Sequence, residues 1–368
     1  MTASSVSVYI HVPFCEAKCP YCAFASEVPS AGDGTLFLDS LKEELSFRRR
    51  SLGRVKTLYI GGGTPTFLAP PLWERLTALL ESSLAFEADA EVTVEANPNS
   101  LSAGHLSIWR DWRVTRTSVG VQSLDDAELF LLGRRHDRSR ALDAIAACRA
   151  RGFSVSVDLM FGLPYGTLQN WARTLRETVA MRPHHLSIYQ LSIEPGTPFA
   201  EASPDGLQDG YAPYRYAQWF LSHKGYEQYE VASFALPGNE SRHNLNYWED
   251  GEYVGLGPSA WGSLGGVRYR NARTLSDYVA LVREGSPTVF EERLGRERAA
   301  RQAAVLALRT TRGIVWKVFE ARHGHRVGAK LREELERFPS RLVRCDATGA
   351  SLTPSGLRVG NAIWSEIV

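Results

Sequence analysis

The chain has 368 residues, 44% of them hydrophobic, enough to bury a full-sized core beside a second, smaller domain. Its 42 basic and 41 acidic residues leave a net charge of +1, which offers a polyanion no footprint and argues against a nucleic-acid partner. No run approaches the roughly 18 apolar residues of a membrane span, and residues 1–7 lack the regions of a secretory signal, so a cytoplasmic protein is expected.

In chain order, six short segments rich in β-branched and aromatic residues read as strands: 6–12, 56–62, 91–97, 114–123, 154–162 and 185–192. Amphipathic stretches at 36–49, 71–83, 141–151 and 168–181 fall between them. Strand and helix in alternation specify a parallel sheet with crossover helices. Asn99 or Ser100 is the expected cap of a helix starting near Leu101, Asp125 of the helix after Leu124, and Gly152 ends the helix before the fifth strand.

Six units rather than eight give an α/β fold with an open, partial (βα)6 TIM-like barrel, whose chemistry gathers at the carboxyl ends of its strands. The sequence sends polar or glycine groups to that rim: three cysteines after the first strand, Gly61-Gly62-Gly63 after the second, Glu95 from the third, Gln122 from the fourth and Asp158 from the fifth.

After residue 205 the pattern changes to a helix at 211–224, a strand at 226–234 and a glycine-rich aromatic stretch at 239–269. A helix at 293–309, another at 329–336 and a hairpin-like pair at 342–345 and 351–353 resemble a small α+β winged-helix-type cap. The expected division is barrel 1–235, an irregular linking segment 236–290 and a cap 291–368.

Five cysteines are too few for a disulfide scaffold, and three fall within eight residues as Cys15-x3-Cys19-x2-Cys22. Cys148 and Cys345 sit in helix-like and strand-like surroundings and read as core packing. Three thiolates on one loop suit an iron–sulfur cubane that leaves one iron open to a chelating ligand; a zinc loop borrowing His11 is the alternative.

The cysteine spacing together with Gly62-Gly63-Thr64-Pro65 resembles the radical S-adenosylmethionine superfamily, in which one electron from the cluster breaks the sulfonium bond to give an adenosyl radical. More closely, several segments resemble the oxygen-independent coproporphyrinogen III oxidase group. They are Tyr9-Ile10-His11-Val12-Pro13-Phe14-Cys15, Val94-Glu95-Ala96-Asn97-Pro98, Gly120-Val121-Gln122-Ser123, Gly133-Arg134-Arg135-His136 and the runs 59–65, 158–164 and 189–197. The resemblance implies a [4Fe–4S] cluster on Cys15, Cys19 and Cys22. It further implies S-adenosylmethionine contacts from Tyr9, Gly62, Gly63, Thr64, Glu95, Gln122, Arg134 and Asp158, with Tyr21 near the adenine.

True oxidases of this group carry a fourth cysteine two positions after the third, whereas this chain reads Cys22-Ala23-Phe24. Instead His243-Asn244-Leu245-Asn246-Tyr247-Trp248 matches the H-N-x-x-Y-W signature of the haem chaperones of the HemW type. That resemblance implies a haem carrier, with His243, Asn244, Tyr247 and Trp248 as haem-binding residues within segment 236–290. Trp261 stands where relatives often have histidine. The implied partners are haem and haem-accepting proteins, with the membrane surface as one meeting place and a homodimer as one assembly. Coproporphyrinogen oxidation and a radical methyltransferase activity are the competing readings.

Overall fold

The computed structural model describes residues 5–49 and 51–367, so residues 1–4 of the segment read for a secretory signal lie outside the described residues. Each predicted strand is present: β1 (Ser5–Val12), β2 (Arg54–Gly62), β3 (Ala85–Ala96), β4 (Arg116–Gln122), β5 (Ser154–Phe161) and β6 (His185–Gln190). The middles of β1 and β5 are buried on both faces, which is why they read as near-continuous apolar runs. The strands pair in sequence order and in parallel, with partners such as Ile10 and Ile60, Ile60 and Val94, and Val119 and Val157.

Helices α1 (Asp33–Arg48), α2 (Pro70–Ser83), α3 (Ala103–Asp111), α4 (Asp126–Leu131), α5 (Arg138–Ala150) and α6 (Leu168–Ala180) make the crossovers. Helix α3 starts later than expected. Its cap is Ser102, not Asn99 or Ser100, in a reciprocal box with His105, because the N–H groups of Ser100 and Leu101 first close a turn on the Asn97 carbonyl. Asp125 caps α4 through the N–H groups of Ala127 and Glu128, and Gly152 follows α5 at φ +81°, both as predicted.

Two compact units divide the chain: Met1–Asp209 with Glu252–Glu292, and Gly210–Gly251 with Arg293–Val368. This differs from consecutive boundaries at 235 and 290, and the reason is a seventh parallel strand. Tyr253–Leu256, inside the stretch read as irregular, pairs with β1 from Ser7 with Tyr253 to Ile10 with Leu256. An antiparallel pair, Trp261–Leu264 with Val267–Asn271, and the edge strand Thr288–Arg293 extend the same sheet.

A buried carboxylate fastens this later segment to α1. Glu44 accepts from the Gly257 N–H, the Asn271 amide and the Tyr278 hydroxyl, each at 2.8 Å, and pairs with Arg48 at 2.9 Å. Four donors around one fully buried carboxylate compensate the cost of taking its charge out of water.

The second unit holds helices Tyr211–His223, Arg242–Trp248, Arg296–Ala307, Trp316–His323 and His325–Glu336. Its three-stranded sheet runs in the order Ile314–Val315, Gly349–Leu352, Val343–Cys345. The predicted strand at 226–234 is instead two short antiparallel strands, Glu227–Gln228 and Ser233–Ala235, because Glu230 turns back to accept the Ala232 N–H. Trp316, Leu331, Leu335 and Ile363 form this unit's core, and Cys345 packs against it, while Cys148 is fully buried on α5. No described helix is long and apolar enough to cross a membrane.

Candidate cofactor site at the carboxyl rim of the barrel

The loop after β1 closes on itself at its base. Glu27 N–H donates to the Pro13 carbonyl at 2.8 Å and Cys15 N–H to the Glu27 carbonyl at 3.0 Å, while Phe14 is buried edge-on against Phe37. Cys15, Cys19 and Cys22 all lie on the closed loop as free, partly exposed thiols. Each meets different support. The Cys15 sulfur is 3.4 Å from the Thr64 hydroxyl, and the Arg134 guanidinium reaches the Cys19 sulfur at 3.8 Å. Burial pushes the Cys22 thiol up from its ordinary range.

His11 decides between cluster and zinc. Its Nδ1 is 3.0 Å from the Tyr9 hydroxyl and its Nε2 is 2.7 Å from the Ala25 carbonyl, so both ring nitrogens are engaged and burial keeps the imidazole neutral. No group of three His, Cys, Asp or Glu side chains among the described residues converges on one ion. A zinc ion needs four donors within about 2.3 Å of a single centre, and the loop supplies neither that convergence nor a free histidine.

The glycine run after β2 also has a structural role within the protein. Its open space is already used by the protein: a Cβ on Gly62 would lie 2.7 Å from the His11 ring, and one on Gly63 2.6 Å from the Phe14 carbonyl. Gly62 also holds φ +111°, a region that side chains disfavour. With the Gly63 and Thr64 N–H groups donating to Val12 and Phe14 at 2.8 and 2.6 Å, the run stitches β2 to the cysteine loop.

Two carboxyls point into the barrel mouth, partly open to solvent yet closely surrounded. Glu95 accepts from Tyr59 and from the Gly62 N–H, and Asp158 from the Ser118 hydroxyl at 3.0 and 3.2 Å. Burial raises both, Glu95 to about 7 and Asp158 to about 6. Gln122 ends β4 at φ +67°, where the β4–β5 register shifts. Arg134 donates to the Gly120 carbonyl at 2.8 Å, and its Nε is buried without a hydrogen-bond partner. Tyr21 bonds both Cys19 and Arg134, and its ring packs with Leu132, Met160 and Leu191.

Tyr59 and Ser118 are rim residues that the sequence reading passed over. The signal for Tyr59 was its spacing of two before Gly61, which puts it on the same strand face as the rim.

Within the stretch read as irregular, the residues of the H-N-x-x-Y-W motif form a helix. Ser241 caps Arg242–Trp248, and His243 is 1% exposed, with its Nε2 2.8 Å from the Tyr247 hydroxyl one turn on. Asn244 gives its N–H to the Ser241 cap, and Trp248 lies under the Arg309 guanidinium at 5.4 Å. The i, i+4 spacing that makes the motif helical is what brings His243 and Tyr247 together.

The radical SAM superfamily profile matches residues 9–178. The haem chaperone HemW of Lactococcus lactis is 32% identical over 98% of this chain and 97% of its own length. The chain belongs to the HemW family. The HemW of Bacillus subtilis is likewise 32% identical, over 97% of this chain, and that of Escherichia coli 39% identical over 70%. A solved radical SAM enzyme, the coproporphyrinogen III oxidase HemN of Escherichia coli, covers 100% of this HemW-family chain with a TM-score of 0.88 at 25% identity. The radical SAM fold implied by the cysteine and glycine motifs is therefore established.

As a radical SAM protein of the HemW family, the chain takes a [4Fe–4S] cluster and S-adenosylmethionine, and the rim fits both. Three free thiols lie on one closed loop, a buried guanidinium with an unpartnered Nε stands beside them, and two raised carboxyls await a cation or hydroxyl donors.

Proposed function

We propose that this protein is a haem chaperone, which binds haem and delivers it to haem-requiring proteins. The observation that carries the reading is 32% identity to a HemW haem chaperone in an alignment that covers 98% of the chain. The sequence Cys22-Ala23-Phe24, without the fourth cysteine expected of an oxidase, supports it.

Cys15, Cys19 and Cys22 hold the cluster, which when bound supplies one electron to cleave the sulfonium bond of S-adenosylmethionine. Arg134 would pair with the methionyl carboxylate, and Gly62, Gly63 and Thr64 would line the methionyl end. Glu95 and Asp158 would accept from the ammonium and the ribose hydroxyls, helped by Tyr9 and Gln122, and Tyr21 would pack near the adenine. In the second unit, His243 would be the residue to ligate haem iron, through the Nε2 now paired with Tyr247, with Asn244, Tyr247 and Trp248 as the other haem-binding residues of the motif. Haem-accepting proteins, met at a membrane surface, and a homodimeric assembly belong to the same reading.

The likeness to HemN favours coproporphyrinogen oxidation as the second reading. One assay separates them. Anaerobically reconstituted protein is expected to bind haem near stoichiometrically and to leave coproporphyrinogen unchanged; its conversion to protoporphyrinogen would overturn the chaperone assignment.

A further inference from the structure

The sheet extension beyond β1 has one face covered by α1 and one partly exposed face. Tyr269 and Asn271 point toward α1, where Tyr269 lies beneath Arg48 at 4.1 Å and Asn271 bonds Glu44. Register fixes what the other face carries. Ser7 pairs with Tyr253, Tyr253 with Ser263, and Ser263 with Arg268, so these residues share one face, and Trp261 and its partner Arg270 fall on it too. Through β1 this is also the face of Tyr9 and His11.

Trp261 is 42% exposed and Phe290 37%, their rings edge-to-face at 5.4 Å. The Arg270 guanidinium lies 5.6 Å from the Trp261 ring centroid, with its Nε buried and unpartnered. Arg268 is neutralised by Glu292 at 2.9 Å. Two large, partly exposed rings on a rigid sheet, beside a half-buried guanidinium charge, are complementary to a flat aromatic ligand with acidic arms.

We infer that Trp261, Phe290 and Arg270 form a porphyrin platform, on which the haem macrocycle packs against Trp261 and a propionate pairs with Arg270. The inference rests on the haem-chaperone reading and deepens it. It assigns a porphyrin-binding surface to the barrel unit on its own, independent of the His243 motif. Trp261 contributes a packing surface rather than a donor nitrogen.

The test titrates the full-length, cluster-reconstituted protein with haem and with haem dimethyl ester, which lacks the propionate charges. Trp261→Ala is expected to weaken both ligands by about tenfold, and Trp261→Phe to restore most of that loss. Arg270→Ala is expected to weaken haem by about tenfold and leave the ester unchanged. Cluster absorbance stays at the wild-type level in all three variants. Wild-type protein that binds no haem overturns the chaperone reading itself. Wild-type binding with no change in Trp261→Ala, or an equal loss of haem and ester in Arg270→Ala, overturns the platform alone.

Discussion

Tyr59 donates its hydroxyl to Oε1 of Glu95 at 2.9 Å while the Gly62 N–H reaches Oε2 at 3.1 Å, so the end of β2 grips a carboxylate of β3 by both oxygens. Burial is the largest influence on Glu95 and outweighs these two bonds, with Asp158 adding repulsion. The site thus stores an unfavourable negative charge that a cationic ligand relieves.

A pH dependence with a definite sign follows. The folded protein holds the Glu95 proton up to about 7, against 4.5 for the ordinary group, so its ionisation costs stability as pH rises through that window. Glu95→Gln is expected to raise the Tm of the ligand-free protein at pH 8, with the gain fading by pH 5. The same variant binds S-adenosylmethionine more weakly at pH 8. A gain in Tm that is the same at both pH values would show that the charge is not the cause.

Gly63→Ala tests the stitch between β2 and the cysteine loop. The new methyl would sit 2.6 Å from the Phe14 carbonyl, and a backbone atom cannot swing aside. Overpacking of this kind costs about 1–3 kcal/mol. The expected result is a lowered urea midpoint together with iron and sulfide contents below wild type after reconstitution. Full cluster content at normal stability would show that the loop tolerates the shift.

The barrel was legible because parallel strands buried on both faces leave continuous apolar runs, and because cysteine spacing is a local signal. What escaped was long-range. Tyr253–Leu256 is only four residues long and lies almost 250 positions from Ser7, so nothing in its neighbourhood marks it as a wall strand. The glycine run shows a different limit: its position was readable, but which group fills the missing Cβ volume depends on His11 and Phe14 from another strand end. The helix that carries His243 escaped because seven residues inside a glycine-rich aromatic stretch leave too short a periodic signal, and the Ser241 cap and the Tyr247 pairing that make it are seen only in the structure.

Glu44 is expected to be a major stabilising residue of the barrel unit. Glu44→Ala would leave Arg48 without its carboxylate and the Gly257, Asn271 and Tyr278 donors without their acceptor. Breaking a buried pair by removing one partner costs about 3–5 kcal/mol. The loss should appear in urea denaturation, with Glu44→Gln in between because its remaining carbonyl still accepts. An effect below about 1 kcal/mol, the scale of an exposed pair, would refute this account.

Tyr247→Phe separates the haem role of His243 from a structural one. The phenol and the imidazole are 2.8 Å apart on successive turns, so iron must compete with Tyr247 for Nε2. A neutral hydrogen bond is worth about 0.5–1.5 kcal/mol, and removing it while keeping the ring should tighten haem binding by about fivefold. Haem titration followed by the Soret band checks this, with His243→Ala expected to change both the affinity and the band position. If Tyr247 instead contacts the bound haem, the phenylalanine variant binds more weakly and the competition model fails. If His243 only packs the helix, His243→Ala lowers thermal stability while the band stays where it is in the wild type.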